Sequence, residues 1–388
     1  MRYLVCVVAA AALAGCRDPF QPAEPDPAPA RAALQPPYVL TNLGTLGGFT
    51  QAVAVNDNDQ IAGWGWTSGV GGTRHAFVWE RGVLRDIGTV GGNGSVATGI
   101  NTSGVVVGTA FFDAGASRVF TWHEGVVDDL GPGWGVAAAV INDLGQVAWT
   151  APAGTGAHAQ LWDGATTRDL GTLGGAYSFA RAINGAGQVA GTSYTSDGSV
   201  HAFLWSSGVM QDLGTLGGGS SWSWAINDAG AVTGASYDAN GHVHAFLWNG
   251  GMHDLGAPPD EEFSEGIAVN GRGEVAGRSS PYADGDPVKR AFRWRDGVMA
   301  RLQVPAPSPL DIHAYQLNGH GVIVGMYRVP SQLHAVVWEN DAVWDLGAQG
   351  EALAVNGRGD AVGWAGDAAV LWRRVGGSPG APMVASRR

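Results

Sequence analysis

The sequence predicts an all-β fold, an eight-bladed β-propeller of four-stranded blades, on three observations. The turn signature Asn-x-x-Gly starts at Asn101, Asn142, Asn184, Asn227, Asn270, Asn318 and Asn356, and Asn56 opens a further copy with Asp59 in the glycine place. A second marker, an apolar run ending in tryptophan, closes at Trp79, Trp122, Trp162, Trp205, Trp248, Trp294, Trp338 and Trp372. Both recur with a period of roughly 40 to 45 residues, the span of one propeller blade. The third observation is at the ends. The last copy stops just after Trp372 without the Asp-Leu-Gly segment of its siblings, while the first is preceded by an extra strand-like segment, YVLTNLG from Tyr38 to Gly44. An N-terminal strand that completes the last blade would join the ends and hide two sheet edges that would otherwise invite pairing with other chains.

Each unit reads as four short strands. In the copy around Asn184 they are SFARAIN, QVAGTSY, HAFLW and GVMQDLG, each rich in strand formers or small residues and bounded by glycine or asparagine. Asn-x-x-Gly between the first two fits a tight hairpin whose glycine takes a positive φ, and Trp-x-x-Gly serves the same purpose between the last two. No segment carries a 3.6-residue period. A solenoid would instead show capping repeats at its ends rather than one unit divided between them.

The N-terminal segment reads differently. Met1-Arg2 is followed by an apolar run from Tyr3 to Ala14, too short to span a bilayer and of the kind found in secretory leaders. It ends in Leu13-Ala14-Gly15-Cys16, which resembles the lipobox of bacterial lipoproteins. The resemblance implies residues 1–15 as signal peptide, cleavage before Cys16, acylation of that thiol and, with Arg17 next, retention at the outer membrane. Cys6 would leave with the leader, so no internal disulfide is possible. Residues 16–37 carry seven prolines between Arg17 and Pro37 and form an extended tether of about 65 Å. The propeller then spans 38–374, and the Gly-Ser-Pro-containing stretch 375–388 is expected to be disordered.

The triplet His-Ala-Phe recurs at His75-Ala76-Phe77, His201-Ala202-Phe203 and His244-Ala245-Phe246, beside DLGTLGG and AIN-x-x-G signatures. With these motifs the chain from Tyr38 to Trp372 resembles the bacterial extracellular HAF repeat family. The resemblance implies a secreted or surface repeat protein and brings no activity with it.

The recurring histidine faces an aspartate eleven residues on, or ten in one copy: His75 and Asp86, His158 and Asp169, His201 and Asp212, His244 and Asp254, His334 and Asp345. Folding the segment as a hairpin brings the two together across neighbouring strands. One copy replaces the histidine by Arg118 opposite Asp129, another has Arg290 and Arg301, and the last has Ala368 with Asn42 from the closing strand. A guanidinium cannot act as a general base, yet it still donates hydrogen bonds, so the couple reads as a structural brace rather than a catalytic pair. WD-type propellers use His and Asp in a comparable way.

A net charge of −12, with Lys289 the single lysine, excludes a nucleic-acid partner. No zincin helix or nucleophile elbow is present. Asp57, Asp59 and the stretch Asp284 to Asp286 lack the full oxygen set of a calcium loop, so neither a metal nor a cofactor is expected. The loops between second and third strands, and those between units, vary and share one face, with long examples at Gly256–Gly266, Arg278–Lys289 and Gln303–His313. On that face Trp66, Phe111, Trp134, Tyr177, Tyr194, Trp222 and Tyr237 are candidate binding residues for sugar stacking or peptide contact. Five residues before the marker asparagines lie Gln51, Val96, Ala137, Phe179, Trp222, Glu265, His313 and Glu351. Of these, Glu265, His313 and Glu351 form a candidate acid/base cluster at the channel mouth.

The reading is therefore a monomeric, lipid-anchored, extracytoplasmic binding or scaffold module of the bacterial cell envelope, with an envelope protein or polysaccharide as partner. The alternatives are a polysaccharide hydrolase or lyase at the channel mouth and, by analogy with other lipoprotein propellers, an envelope assembly factor.

Overall fold

The computed structural model describes residues 37–69, 71–135, 139–281, 288–306 and 309–376. Cys16, the leader, the tether up to Pro36, Ala137, Asp284 to Asp286 and the end of the tail lie outside them. Among the described residues no helix is long and apolar enough to cross a membrane. Apart from a single turn of 3-10 helix at Asp113–Gly115, the regular structure is strand.

The unit around Asn184 shows how the sequence makes the repeat. Its strands are Gly174–Ile183, Val189–Thr195, Val200–Ser206 and Val209–Asp212, paired antiparallel in chain order. The first starts four residues before the expected SFARAIN, because Gly174 pairs with Thr195. The glycines of DLGTLGG thus enter the sheet and do not merely link units. In the second strand Gly191 lies so close to its neighbours that a Cβ would meet the Phe179 carbonyl oxygen and the Phe203 ring. Glycine there lets Phe203 pack flat on the strand, as Gly63 does for Phe77 and Gly277 for Phe292, and these three rings and Phe246 are fully buried.

The same order recurs along the chain. Four-stranded sheets form from the strands between Thr50 and Gly88, between Gly94 and Gly133, and between Asp311 and Ala348. Single parallel bridges, Ala157 to Tyr177, Val200 to Ser220 and Val243 to Phe263, join four further units into one sixteen-stranded sheet. The remaining sheet combines both ends of the chain: Tyr38–Gly44 runs antiparallel to Ala368–Arg374, which continues to Ala361–Ala365 and Gly350–Val355.

Neighbouring units are tied at both ends of their strands. At the hairpin end, the Oδ1 of Asn184 accepts the N–H groups of Ala186 and Gln188, while Nδ2 donates to the carbonyl of Asn227 in the next unit at 3.0 Å. Every marker asparagine repeats this. The chain of Nδ2 to carbonyl bonds runs from Asn56 through Asn101, Asn142, Asn184, Asn227, Asn270, Asn318 and Asn356, whose Nδ2 donates back to the Asn56 carbonyl at 3.2 Å. The marker glycines have φ between 76° and 84°, and Asp59 accepts the same left-handed turn at 62°. Asp59 also pairs with Arg358 and Arg373 of the last unit.

At the opposite end a serine six residues before the asparagine does the joining. Ser178 Oγ accepts the Ala159 N–H and donates to the Gly171 carbonyl of the preceding unit, and Ser95, Ser221 and Ser264 do the same in theirs. All four are fully buried. Replacing Asn227 by alanine would leave the Ala229 and Ala231 amides of its own turn, the latter buried, without their acceptor and would remove the bond to the Asn270 carbonyl. The expected loss is about 1–3 kcal/mol of unfolding free energy, read from denaturant titration.

Candidate functional site

The His/Asp couples are in contact. His201 Nδ1 lies 2.8 Å from Asp212, on the diagonal set by the pairing of Phe203 with Asp212. The other separations are 2.8 Å for His75 and Asp86, 2.9 Å for His158 and Asp169, 3.0 Å for His244 and Asp254, and 3.0 Å for His334 and Asp345. Arg118 reaches Asp129 at 2.6 Å. Each aspartate also accepts the N–H of the glycine two residues on, as Asp212 does from Gly214. Asn42 in the strand Tyr38–Gly44 keeps that half of the motif through Gly44. Where both partners are arginine, the structure supplies what the sequence did not predict. Arg290 and Arg301 both clamp Glu261 Oε1, at 2.8 and 2.9 Å, and this fully buried carboxylate comes from the long loop 256–266.

The candidate rings separate into two groups. Trp66 and Phe111 are half-buried around the Arg74 guanidinium, which lies 5.3 and 5.4 Å from their centroids. The others form a more open belt. Trp134 meets Tyr177 edge-on at 6.3 Å, Tyr177 meets Phe179 and Tyr194 at 6.2 and 5.5 Å, and Trp222 meets Tyr237 at 6.0 Å. Trp134, Tyr194 and Tyr237 are exposed. Between these rings opens a cleft of about 260 Å³ lined by Phe179, Arg181, Thr192, Tyr194, Val200, Trp222, Ser223 and Trp224. Arg181 sits 4.9 Å from the Trp224 ring, so the cleft joins aromatic faces to a cationic donor. A larger hollow of about 480 Å³ near the last units has Trp364 as its one lining aromatic ring.

The channel-mouth triad does not stand as expected. Glu265 is only 1% exposed. Its Oε1 accepts the indole N–H groups of Trp222 and Trp224, and its Oε2 faces Arg278 at 2.6 Å. A carboxylate held by three donors in a dry site has no reach toward a substrate, so Glu265 is corrected from acid/base candidate to anchor of two cleft tryptophans. His313 stacks on Tyr315 at 6.0 Å. Burial pushes its pKa down, with Arg278, Arg328 and Lys289 adding to the effect against the opposing charge of Asp311. Burial raises Glu351, against hydrogen bonds from Trp364 and Tyr315 and the nearby Arg328 charge. Tyr315 thus links the histidine to the glutamate, while Glu265 belongs to the cleft.

No family model matches the chain, and no curated protein matches it in sequence. Among solved structures it is similar to the β-propeller domain of the trilobed protease from Pyrococcus furiosus, with a TM-score of 0.54 at 8% identity, over 78% of this chain and 98% of that one. It is similar as well to the acylaminoacyl peptidase of Pyrococcus horikoshii, with a TM-score of 0.50 at 10% identity, over 78% of this chain and 53% of that one. These likenesses show the fold alone. The chain is a β-propeller.

Three sets of residues in the propeller were not marked by the sequence pattern. The serine ties were missed although their spacing before the asparagine is regular. Of the cleft residues, Arg181 and Trp224 were not singled out, and Phe179 was placed among the channel-mouth positions rather than with the binding rings. The third is the pair Asp238 and His242, which with the brace histidine His244 bring three potential ligand atoms within 4.8 Å of one another. Their signal was a histidine two residues before one His-Ala-Phe triplet.

Two outcomes follow for the propeller. The Asp254 hydrogen bond raises the pKa of His244 against burial, with the charges of Asp254 and Asp238 adding to the rise. Its contribution to stability is therefore complete below the ordinary value near 6.5 and fades as pH climbs through the higher folded-state value. Asp254 is lowered despite burial, by His244 and the Gly256 N–H, so its share is present above 3.8 and fades as pH falls through the lower folded-state value. His244→Ala is thus more destabilising at about pH 5.5 than at about pH 8.5 in paired denaturation curves. Glu265→Ala leaves Arg278 and two indoles unpartnered and lowers unfolding free energy by about 3 kcal/mol, measured the same way.

Proposed function

We propose that the protein is a recognition module of the bacterial cell envelope, anchored through an acylated Cys16, that binds polysaccharide in the aromatic cleft of its propeller. The carrying observation is the cleft itself, with Tyr194 and Trp222 beside Arg181 and Thr192. A pyranose presents an apolar C–H face that stacks on aromatic rings and a rim of hydroxyls that takes hydrogen bonds from arginine and threonine. The two tryptophans are fixed by Glu265 before any ligand arrives, which reduces the ordering that binding would require.

The scaffold in this proposal has eight blades and is closed on itself. Support comes from the asparagine bonds that return from Asn356 to Asn56 and from the pairing of Tyr38–Gly44 with Ala368–Arg374. The motifs it shares with the HAF repeats, the Leu13-to-Cys16 segment and the proline-rich tether favour a place outside the cytoplasm. Catalysis is the weaker reading because the engagement of Glu265 removes one member of the triad on which it rested.

The test is calorimetry of the full-length chain in detergent against purified envelope polysaccharides. Saturable binding is expected, weakened about tenfold in a Tyr194→Ala, Tyr237→Ala double variant whose denaturation midpoint matches wild type. Affinity unchanged in that variant, or an absence of binding across the polysaccharide classes, would overturn the proposal.

A further inference from the structure

We propose that Asp238, His242 and His244 form a binding site for a divalent transition-metal ion of the zinc class. The three side chains come from the turn joining the second strand, Val232–Asp238, to the third, Val243–Trp248. Asp238 Oδ2 lies 3.5 Å from His242 Nδ1, and one ligand atom from each of the three residues falls within 4.8 Å of the others. Ligands held at about 2.0–2.2 Å around a tetrahedral ion sit roughly 3.3 Å apart, so the cluster is nearly assembled. His242 is the most exposed of the three, so its ring has room to adjust on binding.

Two features make this more than a chance grouping. His244 turns its Nδ1 to Asp254, at 3.0 and 3.1 Å from the two carboxylate oxygens, which leaves Nε2 for the metal. A carboxylate behind the imidazole is the outer partner that fixes tautomer and ring orientation in histidine metal sites, and here it is the brace common to the repeats. Asp238 is likewise held in place, with Oδ1 accepting the Asn240 and His242 N–H groups at 2.8 Å each.

The preceding unit provides an internal control. Its turn has the same backbone bond, Thr195 N–H to Ser199 carbonyl, as Asp238 N–H to His242 carbonyl, and its His201 is braced by Asp212 in the same manner. Thr195 and Ser199 stand where Asp238 and His242 stand, so only the brace is present there. Two imidazoles and one carboxylate favour zinc, nickel or copper over calcium or magnesium, which prefer sets of oxygen ligands. Three protein ligands leave one position for water or an incoming group. The site adjoins Tyr237, so a bound ion would place a Lewis acid beside the aromatic belt.

Calorimetric titration of the full-length, chelator-treated protein with Zn²⁺, and spectroscopy with Co²⁺, tests the assignment. One equivalent is expected to bind, with tetrahedral Co²⁺ bands, and Ca²⁺ is expected not to compete. His242→Ala, at an exposed position, abolishes that stoichiometric binding, Asp254→Asn weakens it about 10- to 100-fold, and His201→Ala leaves it unchanged. Wild-type affinity in His242→Ala, a preference for Ca²⁺, or no stoichiometric binding to the wild type would each overturn the proposal.

Discussion

The marker asparagine satisfies two demands with one side chain. A hairpin as tight as Asn-x-x-Gly leaves its own amide groups without strand partners, and the Oδ1 of each asparagine accepts two of them. The Nδ2 is then left pointing at the next unit, whose carbonyl at the equivalent residue is the acceptor. Aspartate would lose the donor and glutamine would overreach the turn. The residue that closes a hairpin is therefore also the residue that sets the spacing between neighbouring sheets, and an error in one would propagate to the other.

The opposite ends of the strands use different chemistry for the same purpose. Buried serines bridge successive units, and the His/Asp couples tie third to fourth strand within a unit. The variation among these couples follows charge rather than residue type. Arginine replaces histidine opposite Asp129, and where two arginines face each other a glutamate from a neighbouring loop enters between them. Pairing of opposite charge is what is retained: the couples are partly exposed, while the one fully buried carboxylate among them, Glu261, faces both guanidiniums through Oε1. The long loop 256–266, which looked like binding surface, has part of its length committed to this repair.

The open aromatic belt and the turn carrying Asp238, His242 and His244 share the strand ends remote from the asparagines. Glu265 connects core to surface there: it is as buried as any core residue, yet both of its indole partners line the cleft. A polar network that is fully satisfied can hold large rings in place without apolar packing on every side.

The repeat length, the hairpin signature, the His/Asp pairing and the strand order within a unit were legible in the sequence, because each depends on residues close together in the chain and is repeated often enough to average out local exceptions. What the sequence did not determine were the contacts between units: the serine bridges, the asparagine donor to the next carbonyl, Glu261 between Arg290 and Arg301, and the capture of Glu265 by Trp222, Trp224 and Arg278. Those partners lie from 7 to 48 residues apart, and 300 where Asn356 meets Asn56, and whether a carboxylate is free or engaged depends on which side chains the neighbouring strands present. Periodicity identifies which residues are equivalent. Only packing in three dimensions decides which of them meet.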